Sequence, residues 1–63
     1  MAIQYYKAAA ELGDSLAYSN LAYLYETGEG VEQDIAEAIR LYRIAAEDDE
    51  EHALKALDRL MHE

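Results

Sequence analysis

The chain has no Cys, Pro, Trp or Phe among its 63 residues, only 3 Gly, and only 5 Lys and Arg against 14 Asp and Glu. Without Cys there is neither a disulfide framework nor a thiolate metal site, and redox chemistry leaves the compartment open. Without Pro nothing interrupts a long helical pattern. No apolar run approaches ~18 residues and the N-terminus lacks a secretory core, which together imply a soluble chain with the cytoplasm favoured. The shortage of bases leaves a net charge of −9. Phosphate backbones repel such a chain, which excludes nucleic acid as a partner, and an anionic membrane surface is disfavoured for the same reason. The field of the whole molecule favours a basic protein partner, while an acidic surface also serves solubility.

What remains is 52% hydrophobic, much of it Ala, which favours helix but contributes little burial per residue. Apolar spacing at three and four predicts four helices. The first, about 2–12, carries Ile3, Tyr6 and Ala10. Gly13 then offers a left-handed stop and Asp14 an N-cap for the second, about 15–27, with Ala17, Leu21 and Leu24 on its stripe. Gly28 ends that helix. Asp34 and Glu37 form a capping-box pattern before the third, about 35–47, whose predicted core face is Ile35, Ala38, Ile39, Tyr42, Ala45 and Ala46. The acidic run 47–51 reads as a helix junction with Asp48 or Asp49 as N-cap of the fourth, about 50–62. Ala53, Leu57, Leu60 and Met61 form its stripe, and Glu51 and Lys55 an i, i+4 pair.

Residues 2–11 and 38–47 match at an offset of 36, with Ala2, Ile3, Tyr6, Ala9, Ala10 and Glu11 recurring as Ala38, Ile39, Tyr42, Ala45, Ala46 and Glu47. The same offset pairs Ala17 with Ala53, Leu21 with Leu57 and Leu24 with Leu60. A fixed period in this range signals a stacked helical array.

Ala17, Leu21, the run Tyr25-Glu26-Thr27-Gly28-Glu29-Gly30-Val31, Asp34, Ala38, Tyr42 and Ala45-Ala46-Glu47 resemble one Sel-one-like repeat, the α/α relative of the tetratricopeptide repeat. Three positions depart from the pattern. Ala22 stands where the family favours Gly, Leu41 where an aromatic is common, and Asp49 where a glycine closes the repeat. The resemblance implies an all-α, right-handed α-solenoid of antiparallel helix pairs that works as an adaptor for other proteins. It divides the chain into a half repeat (1–13), a full repeat (14–49) and a half repeat (50–63). An array below ~3 repeats is short of neighbours. We therefore expect either homo-oligomerisation through Ile3, Tyr6, Leu57, Leu60 and Met61, or excision from a longer parent.

Catalytic and metal signals are weak. Ser15 and Ser19 have no His at motif distance, and Gly28 and Gly30 lack a following Lys-Ser or Lys-Thr, so no enzyme and no cofactor is expected. His52 and His62 sit i, i+4 from Asp48 and Asp58, a spacing read as helix pairing rather than metal ligation. The acidic run lacks the spaced oxygens and turn glycine of a calcium loop. Tyr25 and Tyr42 are expected to pack inside the repeat. Tyr18 and Tyr23 lie off the apolar stripe, on the helix type that lines the concave face in the arrays this chain resembles. With Glu26, Lys55 and Arg59 they form the expected contact surface for a peptide or protein. The remaining alternatives are a self-associating structural or engineered unit and a small acidic inhibitor of a basic protein.

Overall fold

A computed structural model describes residues 2–62. Four helices run in order: α1 (Ala2–Glu11), α2 (Ser15–Thr27), α3 (Ile35–Ala46) and α4 (Glu51–Met61). Among the described residues there is no strand. The chain is all-α, as its spacing predicts, and no helix among these residues is long and apolar enough to cross a membrane.

Local chemistry explains the boundaries. The Asp14 carboxylate accepts from the N–H groups of Leu16 and Ala17 at 3.1 and 3.3 Å, satisfying donors that the first turn of α2 leaves open. Asp34 accepts from the Glu37 N–H at 3.1 Å and starts α3 in the same way. The predicted capping box is only half made. Glu37 turns its carboxylate to Arg40, one turn on, at 2.9 and 2.6 Å. Gly28 stops α2 with φ 78° and donates to the Leu24 carbonyl at 2.7 Å.

The 36-residue echo extends to the backbone. Gly13 (φ 91°) and Asp49 (φ 58°) occupy equivalent junctions, both left-handed. Asp14 and Glu50, one residue on in each case, are the N-caps of α2 and α4. This corrects the expected cap at Asp48 or Asp49. Asp49 takes the turn that Gly13 takes in the first junction, so the capping position falls on Glu50. Its longer side chain reaches the N–H groups of His52 and Ala53 at 3.2 and 3.0 Å.

α2 packs against α1 on one flank and most extensively against α3 on the other, α3 packs against α4, and α2 meets α4 along a narrower line. Among the described residues the backbone of α1 runs close to α2 and not to α3 or α4. The result is a slab of 31 × 25 × 13 Å, consecutive hairpins laid side by side as a helical repeat requires.

The interior is an alanine seam. Ala22, Ala38, Ala45 and Ala53 have no exposed surface, and Leu21, Leu41, Tyr42 and Ala56 close around them. Small residues here let the helix backbones approach closely. The Gly-to-Ala departure at Ala22 is accommodated at 0% exposure. The buried face of α3 is Ala38, Leu41, Tyr42 and Ala45, rotated from the expected one. Ile35 is exposed and Leu41 buried, because α3 is covered by α2 and α4 at once and its buried arc centres between them.

Candidate functional site

Two of the depressions on the slab, formed wholly by described residues, bear on a site. One, of about 390 Å³, lies between α2 and α4. Asn20 and Tyr23 form its α2 wall, one turn apart, and His52, Lys55 and Arg59 its α4 wall at steps of three and four. Ser19, Tyr42 and Ala56, all buried, form the floor. The other, of about 330 Å³, lies over α1, α2 and α3, with Lys7, Tyr18, Tyr25 and Arg40 around Leu21 and Leu41.

The five residues expected to contact a partner are therefore divided. Tyr23, Lys55 and Arg59 share the first groove. Tyr18 does not. Five helical positions separate it from Tyr23, about 140° around the axis, so it faces the second depression and packs half-buried against the core. Tyr23 keeps 51% of its surface in solvent.

Glu26 is an internal brace. Its carboxylate accepts from Arg59 at 2.7 and 3.0 Å and from the Tyr42 hydroxyl at 3.0 Å. The Arg59 guanidinium lowers the Glu26 pKa, burial opposes it, and the Tyr42 hydroxyl helps to lower it. Tyr42 is pushed well above the usual tyrosine range, first by burial and then by Glu26. One carboxylate thus joins the end of α2 to α3 and α4, and it orients Arg59 along the groove rim. Lys55 extends into solvent, and its ammonium lies 3.9 Å from Glu51, the predicted i, i+4 partner.

Glu50 is a second brace. Burial opposes its charge, yet the hydroxyl of Ser19, the ring of His52 and the N–H groups of His52 and Ala53 outweigh burial and hold its pKa down at about 2. Ser19, Glu50 and His52 are thus gathered, but in an order unsuited to nucleophilic catalysis. The carboxylate separates the hydroxyl from the imidazole, so no ring nitrogen takes the Ser19 proton, and a carboxylate of such low pKa is a poor base.

The histidine pairs come out differently from one another. His62 meets Asp58 at 3.0 Å, as its spacing predicts. His52 meets Glu50 at 2.9 Å rather than Asp48. Asp48 instead accepts from the Ser15 hydroxyl, which ties the start of α2 to the junction before α4. Among the described residues no three His, Cys, Asp or Glu side chains converge on a metal position.

Of the residues expected at a self-association surface, Ile3, Tyr6, Leu57 and Leu60 are half-buried against the core, and only Met61, 57% exposed, stands clear. Exposed apolar side chains are found instead at Tyr5, Leu12 and Leu54. Sequence reasoning also missed Asn20 and His52 in the groove. Asn20 is one turn before Tyr23, and His52 lies three before Lys55 and seven before Arg59, so extending each chosen face by one turn would have found both.

The profile described as Sel1 repeat matches residues 1–14 and 15–50, most of the chain. The chain belongs to the Sel1 repeat family. Sel1 repeats are helical, solenoid-like and generally non-catalytic, and they serve as protein-interaction modules. The second match, 15–50, holds α2, its loop, α3 and the cap Glu50, the unit that encloses the floor residue Tyr42. No curated protein and no solved structure matches the chain.

Proposed function

We propose that this Sel1-repeat chain is a non-enzymatic interaction module whose α2–α4 groove receives a peptide or protein segment. The observation that carries the reading is the half-exposed Tyr23, set opposite Lys55 and Arg59 across a groove with a buried floor. An aromatic on a rigid helix, next to fixed polar groups, anchors a partner at low entropic cost. Glu26 supports the groove rather than touching the partner, since its oxygens are occupied by Arg59 and Tyr42. The repeat division is read as 1–13, 14–49 and 50–63.

The test is selection of binding peptides against the immobilised chain, followed by amide chemical-shift mapping. Tyr23→Ala should weaken selected peptides by about 2 kcal/mol, the scale of an aromatic anchor, with perturbed amides on α2 and α4. Perturbations gathered around Lys7, Tyr18 and Arg40 would refute the groove assignment.

A second reading, self-association, is supported by a separate observation. Leu54 and Met61 are an exposed apolar pair seven residues apart on one line of α4, and Tyr5 on α1 and Leu12 just beyond its end are exposed apolar side chains at the other edge. Light scattering should report a mass above that of one chain, falling to one chain in Leu54→Lys/Met61→Lys. A monomer at every concentration would dismiss it.

A further inference from the structure

Resting on the self-association reading above, we propose that copies of this chain join head to tail. α4 of one copy receives α1 of the next, in the packing that α2 and α3 make inside each chain.

The 36-residue echo identifies the two surfaces, because α4 repeats α2 and α1 repeats α3. Where both members of an equivalent pair have a neighbouring helix, their burial agrees. Ala17 and Ala53 are both buried, and Ile39 and Ile3 are both half-buried. Elsewhere the later or earlier copy has lost its cover. Leu54 and Met61 are exposed where Tyr18 and Tyr25 are half-buried, and Leu57 is half-buried where Leu21 is buried. On α1, Tyr5 is 71% exposed where Leu41 is 3% exposed, and Ala9 is half-buried where Ala45 is buried.

These losses are the footprint of a missing neighbour. α2 and α3 make the most extensive helix contact in the chain, and among the described residues no helix precedes α1 and none follows α4. α4 therefore shows the face that α3 covers on α2, and α1 shows the face that α2 covers on α3. The two ends are complements, and a second copy supplies both. Like ends pressed together would pair a face with itself, a contact that the repeat does not make. The joint is heterologous, and further copies add by the same rule. His52 and Lys55 of the groove lie on another side of α4, so stacking leaves the groove open.

One position departs in chemistry. Asp58 stands at the place of the buried Ala22 and meets His62 at 3.0 Å in solvent. Carrying that carboxylate into the joint costs free energy, and copies of net charge −9 repel one another. The joint is accordingly weaker than the α2–α3 contact it copies.

Light scattering over a concentration series tests this by complementation. Tyr5→Glu disables the α1 end and Leu54→Lys/Met61→Lys the α4 end. All three side chains are exposed, so circular dichroism should show the parent's helix content in both variants. Each variant alone should have the mass of one chain. Their equimolar mixture should form a two-chain species and nothing larger, since it holds one intact end of each kind. Asp58→Ala, which restores the Ala22 lining, should tighten association of the parent about 10-fold or more, and added salt should tighten it as well. If either variant alone still associates, or the mixture stays at one chain while the parent associates, head-to-tail joining is overturned and self-association through another face stands. A parent of one chain at every concentration refutes the self-association reading and this proposal together.

Discussion

Removing the Glu50 carboxylate should have the largest effect of any single polar substitution. Glu50→Ala deletes the N-cap of α4, about 1 kcal/mol. It also strands the hydroxyl of Ser19, 3% exposed, whose acceptor is Glu50 31 positions away. A buried hydroxyl without a partner costs about 1–3 kcal/mol. The total, about 2–4 kcal/mol, is a large share of the roughly 3–9 kcal/mol expected of a chain this size. At about 4–8 °C per kcal/mol the melting temperature should fall by about 10–30 °C. Ser19→Ala alone removes one of several donors to Glu50 and should cost about 1 kcal/mol. In the double variant the hydroxyl is no longer stranded, so the loss should be less than the sum by at least ~1 kcal/mol. Circular-dichroism melts of the four proteins at pH 7 measure the cycle. Additivity within ~0.3 kcal/mol, or a Glu50→Ala shift of only a few degrees, would show that the carboxylate does not bridge α2 and α4. Acid provides an independent check. The pKa of Glu50 is lowered from 4.5 to about 2, so its contribution is complete above pH 4.5 and disappears as pH falls toward 2. Glu26 and Glu37, also lowered, act in the same direction. Parent and Glu50→Ala melting temperatures should therefore converge below pH 4.5.

Gly28→Ala should destabilise by more than Gly13→Ala in the same melts. Both positions have positive φ, but a Cβ at 28 comes within 3.2 Å of Gln33 Cβ while one at 13 meets open space; equal losses would contradict the crowding at the α2 terminus. Asp49→Gly, at φ 58°, should raise the melting temperature by a few degrees through relief of up to ~1 kcal/mol of left-handed strain; a fall would show that the Asp49 side chain holds the junction. Tyr42 should ionise well above the usual tyrosine range, so that a spectrophotometric titration of the parent shows a high-pH step missing in Tyr42→Phe. Because its folded pKa is raised from 10.0, the stability it contributes is present below pH 10 and lost as pH rises further, so Tyr42→Phe should flatten the alkaline limb of the stability curve.

Helix boundaries were legible because their signals are local. Asp14, Asp34, Gly13 and Gly28 each satisfy or terminate a turn within a few residues of themselves. The rotation of each helix about its axis was less legible. It depends on which neighbours cover it, and so Leu41 took the burial expected of Ile35. The cap at Glu50 was displaced by a conformation that Asp49 adopts in place of glycine, and its partner Ser19 lies on another helix altogether. Tyr23, Lys55 and Arg59 line one groove, on the two helices to which the family resemblance pointed. Glu26 and Tyr18 were not legible as internal, because a charged or aromatic side chain beside a stripe looks the same in sequence whether it meets a ligand or its own neighbours.

Methyl groups at Ala22, Ala38, Ala45 and Ala53 fill the space where helices cross, and a larger side chain there has nowhere to go. Asn20, Tyr23 and Lys55 are under no such constraint, since they point away from that seam. Under the proposed groove docking, frame and selectivity are written in separate letters, and the preferred guest would change by exchange of outward residues alone, with the joinery left untouched.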